Sequence, residues 1–263
     1  MNAVPIWALF GGTIVVLVLC IEIGYRAGTG AHKRSAREKE SPVSAMSGAV
    51  LGLTAFMLAF TFGVVYDRFD NRKALVREDA GAIRTAYLRA DFLPEADRGE
   101  AKTLLRKYLD DRLALVHSAS LDPASVKGTL DEANRIQARL WAMAVANARK
   151  DMNSDVAALY IDSLNQMQEI HAARVVVGIQ ARVPAGIWLL LYFITILGML
   201  GMGYQAGIAG SKRSLIAPIT ALSFAIVIGA IASLDRPDSG LISTPQTPLV
   251  DLRQSIASGA LGG

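Results

Sequence analysis

The sequence predicts an all-α integral membrane protein. Four transmembrane helices are expected, with an extramembrane four-helix bundle inserted between the second and the third. Three observations carry this reading. Of 263 residues, 52% are hydrophobic, and they gather into four long uncharged stretches instead of scattering at helix or strand spacing. Each stretch is close to the ~20 residues that a bilayer core requires. The charge lies mostly between the second and third stretches, in amphipathic segments punctuated by proline.

Residues 1–65 hold the first two spans. The first runs from Pro5 to Ile21, with Glu22 at its end. Residues 1–8 contain no Lys or Arg, so the basic leader of a secretory signal is missing and the stretch reads as a retained anchor. Leu19, before Cys20, is too large for a lipoprotein cleavage site. A basic loop over 26–45 follows. The second span runs from Met46 to Tyr66, with Pro42 ahead of it as a helix start.

Residues 66–182 read as the bundle. The segment 66–92 has no proline and continues directly from the second span. Pro94 opens a second helix to Ser118. Asp122 as N-cap and Pro123 at the first helical position open a third, to Lys150. Asn153 or Ser154 caps a fourth, which reaches Arg182. Four segments of similar length with tight connections make an antiparallel up-and-down bundle, on the order of 40 Å long.

Residues 183–236 hold the remaining spans. The third runs from Val183 to Tyr204, with Pro184 in its first turn and Trp188 near the interface. The fourth runs from Ser214 to Leu234 and is stopped by Asp235-Arg236-Pro237. Residues 237–263 form a C-terminal tail. It is turn-rich to Pro248, then a short amphipathic helix carries Leu249, Leu252 and Ile256 on one side. From Ser258 onward the chain is expected to be unstructured.

The net charge is +4 and the pI about 9.3. A basic pI can mark nucleic-acid binding, but the middle domain is nearly neutral. The excess lies in loop 26–45, where Arg26, Lys33, Arg34, Arg37 and Lys39 face only Glu38 and Glu40. That excludes nucleic acid and leaves the lipid bilayer as the partner. Loop 205–213 is basic too, through Lys212 and Arg213. Basic short loops stay in the cytoplasm, which puts the bundle and both termini outside. Arg68, Arg72, Lys73, Arg77, Arg174 and Arg182 flank the spans on the bundle side, but charges in long domains count for less.

Catalytic, cofactor and metal sites are not expected. Cys20 is the single cysteine, and His32, His117 and His171 lack ligand spacing. The run Gly207–Ser214 resembles a phosphate loop but has the wrong spacing and no preceding strand. The adjacent acids Asp110-Asp111 and Asp131-Glu132 point to different helix faces.

Two constellations remain. On the second span Gly48, Gly52, Ala55, Ala59 and Gly63 form a small-residue stripe, read as a helix-packing seam with a pore-lining face as the alternative. Gly198, Gly201, Gly203, Gly207 and Gly210 make a weaker set on the third. At the bundle-side interface, Asp67, Arg68, Arg182, Asp235 and Arg236 should share one depth. They read as snorkelling anchors or local ion pairs, Arg68 with Asp235 first among them, or as a charged pore mouth.

The exit of the second span, Tyr66-Asp67-Arg68-Phe69-Asp70-Asn71-Arg72, resembles that of the bestrophin channels. A closer similarity is to a bacterial bestrophin-like family that carries a domain of unknown function. It extends over Ala82–Asp91, Asn165–Arg174, Arg182-Val183-Pro184, Gly203-Tyr204 and Leu234-Asp235-Arg236-Pro237. The resemblance implies a homo-oligomeric ion channel or channel-like pore in a bacterial plasma membrane, passing inorganic ions. Phe56, Phe60 and Phe62 would correspond to the aromatic neck of such a pore. It also implies a cytoplasmic inserted domain, against the loop charges. The alternative is a non-conducting scaffold or sensor whose bundle binds a partner.

Overall fold

In lipid no water is present to pair backbone amides, and a helix pairs all of its own. The computed structural model is helical almost throughout, with no strand among the described residues 5–34, 40–117, 123–177, 182–210, 216–236 and 242–261. The helices are α1 (Ile6–Arg34), α2 (Glu40–Arg89), α3 (Glu95–His117), α4 (Pro123–Ala148), α5 (Asp155–Val175), α6 (Ala185–Ile208), α7 (Ile216–Asp235) and α8 (Thr247–Ala257), and a 3-10 turn at Ala90–Phe92 follows α2. Four of these, α1, α2, α6 and α7, are long and apolar enough to cross a membrane.

Several boundaries differ from the sequence reading. Helix α1 continues past Ile21 to Arg34, and α2 begins at Glu40, so much of the expected loop 26–45 is helix. Nothing after Ile21 breaks the helix, and the extension carries an i,i+4 ion pair, Arg26 Nε to Glu22 Oε1 at 2.7 Å. Helix α2 runs unbroken for 50 residues, as the absence of proline after Tyr66 implied. Ser154 caps α5 by accepting from the Ala157 amide at 3.2 Å. Helix α6 extends to Ile208, and Gly210, at φ +62°, turns the chain out of it. The Asp122 cap, the start of the fourth span at Ser214, and Lys212 and Arg213 lie outside the described residues.

The chain divides into two compact units. Unit one is Met1–Phe69 with Arg182–Ser243, and unit two is Asp70–Ala181 with Thr244–Gly263.

In unit one the closest packing joins α1 to α6. A Cβ on Gly24 would overlap the Leu200 carbonyl oxygen, and one on Gly28 the Tyr204 oxygen. Reciprocally, Gly203 lies against the Ile21 carbonyl and Gly207 against that of Tyr25. The register rises together in both helices, so they run parallel, as first and third spans must. Small residues permit this approach, which replaces hydrophobic drive in lipid. The hydroxyls of Thr13 and Tyr192 meet at 2.9 Å along the same pair.

The stripe on α2 is not that seam. A Cβ on Gly48, Gly52 or Gly63 would meet nothing within 4 Å, and Ala55 and Ala59 are exposed. Among the described residues the stripe packs against no other helix.

Unit two encloses a core of Ile83, Leu105, Leu109, Leu140, Leu164 and Met167, with further residues from α2 to α5. Helix α8 adds Leu249, Leu252 and Ile256 to it, and Leu261 packs alongside. The segment set apart as a tail is thus a fifth helical contributor. Burying three aliphatic side chains stabilises this docking by roughly 1.5–3 kcal/mol each before ordering costs.

Candidate functional site

The i,i+7 repeat Ser47, Thr54, Thr61 puts three hydroxyls on one face of α2, and all three are buried. Ser47 donates to the Gly201 carbonyl at 3.1 Å, and Thr54 reaches that of Ile194 at 3.4 Å. Thr61 donates to Met57 of its own helix at 2.8 Å. This hydroxyl face, with Leu58 and Val65, is turned to the rest of unit one and holds α6. Interhelical hydrogen bonds of this kind contribute about 0.6 kcal/mol each in lipid.

The other side of α2 is left bare. Phe56 and Phe60 are 64% and 63% exposed. They are four residues apart and so share a face, flanked by Gly52, Ala59 and Gly63. Phe62 is displaced to a neighbouring face, where its ring stacks on Tyr66 with centroids 6.3 Å apart. The three phenylalanines therefore do not form a single row. Asp67, exposed, continues the Phe56 and Phe60 face.

Where these helices end, Val65, Val183, Trp188 and Leu234 form one buried cluster, with Phe69 against it. Asp235, the last residue of α7, is itself buried. Its Oδ1 accepts from the Val183 amide at 2.9 Å, and Arg182 Nη1 donates to the Asp235 carbonyl at 3.2 Å. The expected Arg68–Asp235 ion pair does not form. Arg68 Nη1 is enclosed without a hydrogen-bond partner. The Val183 amide precedes Pro184 and lies outside the α6 ladder, so it is a fixed donor that needs an acceptor. Asp235 serves it. Arg182 and Asp235 are in contact, Arg236 follows half-buried, and Asp67 faces away from this group.

A second polar centre, missed by the sequence reading, lies in unit two. Asp79 of α2 is fully buried. Arg174 of α5 donates to its Oδ2, and Arg112 Nε of α3 is 3.6 Å from the same oxygen. Arg112 Nη2 also donates to Tyr108 Oη at 2.8 Å and to His171 Nδ1 at 2.6 Å. Gln137 of α4 donates to Tyr108 Oη at 3.3 Å, and Arg174 Nη2 to Gln246 Oε1 at 3.3 Å.

Burial, helped by the Arg112 charge, lowers His171 to about 4 and leaves it a neutral acceptor. Burial also raises Tyr108 and lowers Arg174, the latter against the pull of Asp79. The centre joins every helix of unit two but α8 by ion pair or hydrogen bond, and Gln246 ties in the residue before α8. Its sequence signal is a charge in apolar register: Asp79 precedes Ile83 and Ala86 at i+4 and i+7, and Arg112 follows Leu105 and Leu109.

Comparison with known proteins places the chain. A family model described as a Bestrophin-like domain matches residues 12–249. No curated protein matches the sequence. Among solved structures, a mutant of a bacterial bestrophin homologue from Klebsiella pneumoniae is similar at a TM-score of 0.68 and 15% identity, over 97% of this chain and 99% of that one. Another mutant of the same homologue gives 0.69 and 16%, over 95% and 98%. A structure described only as a membrane protein gives 0.69 and 14%, over 97% and 98%. At these identities the likeness is one of fold.

Proposed function

This chain belongs to the bestrophin-like family, and on that premise we propose that it is one subunit of a homo-oligomeric pore for inorganic ions. The observation that supports this reading is the division of α2 into two faces. Its hydroxyl face is engaged by α6, while the face of Gly52, Phe56, Ala59, Phe60 and Gly63 is exposed and packs against no helix among the described residues. In a ring of copies that face lines the axis. Phe56 and Phe60 then form the narrow apolar neck, and Asp67 biases ion entry by its sign. The basic residues of the short connections support a helical domain on the extracytoplasmic side of a bacterial plasma membrane. No enzymatic role is proposed.

A second reading has the same exposed phenylalanines facing lipid in a non-conducting scaffold or sensor. Ion flux into liposomes containing the purified oligomer separates the two. A pore predicts flux that rises several-fold in Phe56→Ala and Phe60→Ala, and that is insensitive to Leu189→Ala on the exposed face of α6. An intact oligomer without flux assigns the protein to the scaffold reading.

A further inference from the structure

Arg68 follows Val65 by three residues and Thr61 by seven, so helix periodicity turns it toward the same side as these buried residues. Its Nη1 is shut off from water and bonded to nothing. Among the described residues no carboxylate pairs with it. Asp235, its expected partner, is committed to the Val183 amide, and Asp67 is on the bare face of α2. A guanidinium enclosed on one edge and paired with no carboxylate calls for an anion that can lie flat against its remaining fork.

We propose that Arg68 binds the phosphate of an anionic phospholipid headgroup. Four lines of chemistry converge on that ligand. Phosphate oxygens match the planar guanidinium fork in two-point geometry. Nη1 is the enclosed nitrogen, so the Nε and Nη2 edge is the fork left to meet it. The position, where apolar helices give way to charge, is headgroup depth. The charge of Arg68, which no carboxylate among the described residues offsets, favours an anionic lipid over a zwitterionic one, whose ammonium it repels. The site depends on α2, α6 and α7 being membrane helices and is independent of conduction.

The test is native mass spectrometry of the full-length detergent-solubilised protein, titrated with phosphatidylglycerol, phosphatidylcholine or inorganic phosphate. The wild type is expected to retain phosphatidylglycerol roughly tenfold more tightly than Arg68→Gln, one decade in Kd. Arg68→Lys keeps the charge without the fork and falls between them. It also decides the question if the glutamine variant does not fold. Equal retention by wild type and both variants overturns the proposal, as does equal retention of phosphatidylcholine. Inorganic phosphate binding with the same dependence on Arg68 overturns the lipid source in favour of a free-anion site. Loss of oligomer mass in Arg68→Gln with lipid retention unchanged shows that the guanidinium serves a neighbouring copy, which also overturns it.

Discussion

The Asp235 carboxylate accepts a hydrogen bond from the Val183 amide at 2.9 Å. This bond, with the one from Arg182 Nη1 to the Asp235 carbonyl, ties the last residue of α7 to the chain just ahead of α6, at a buried position where water does not replace it. Asp235→Ala leaves a buried donor unsatisfied and should cost about 1–3 kcal/mol. Asp235→Asn keeps an acceptor oxygen and should cost less. Because Asp235 and Arg68 are not paired, the double substitution Asp235→Asn with Arg68→Gln should be additive within ~0.5 kcal/mol. Thermal melts of the four proteins in one detergent check this. A coupling well above that value would restore the ion pair.

The glycine seam and the small-residue stripe should respond in opposite ways. Gly203→Val places branched carbons against the Ile21 carbonyl, and α1 and α6 must separate. Most of that variant should be lost to aggregation on detergent chromatography. Gly52→Leu and Ala59→Leu meet open space within the chain and should leave a folded subunit, shifting only the oligomer's elution. Aggregation of the stripe variants with a normal Gly203→Val would reverse the assignment of the two surfaces.

His171 makes unit two sensitive to acid. Its folded value is about 4 against an ordinary 6.5, so below pH 6.5 the unfolded chain takes up a proton that the folded one refuses. Stability from this group is complete above pH 6.5 and falls as pH drops toward 4. After allowance for partial solvent access the loss should be on the order of 2 kcal/mol across that window. His171→Gln should flatten the dependence. Hydrogen exchange along α5 at pH 6.5 and 4.5 reads it, and an unchanged slope in the variant would remove His171 as the cause.

The loop charges make a prediction about orientation. In a Cys20→Ser background, His32→Cys, exposed near the end of α1, should be shielded from an impermeant thiol reagent in intact cells. Met152→Cys, at a position 81% exposed, should label readily. The opposite pattern would put the helical domain in the cytoplasm, as the resemblance to bestrophins implies.

The sequence by itself determined what depends on local chemistry. Uncharged apolar runs specify membrane helices because lipid leaves backbone groups no other partner. Proline placement set where α3 and α4 begin, and its absence after Tyr66 let α2 run on. The α5 cap, narrowed to Asn153 or Ser154, and the amphipathic pattern of α8 were legible for the same reason. What tertiary structure decided were the partners. A stripe of small residues declares that a backbone could be approached, not by which helix, and the nearest approach went to Gly24, Gly28, Gly203 and Gly207 instead of to α2. The Asp235 acceptor went to an amide, because a main-chain donor ahead of Pro184 has no freedom to seek another partner, while Arg68 has a long side chain that does. Asp79, Arg112, His171 and Arg174 gained their meaning only when α2, α3 and α5 met, since a buried charge is stable only beside groups that distant parts of the chain supply.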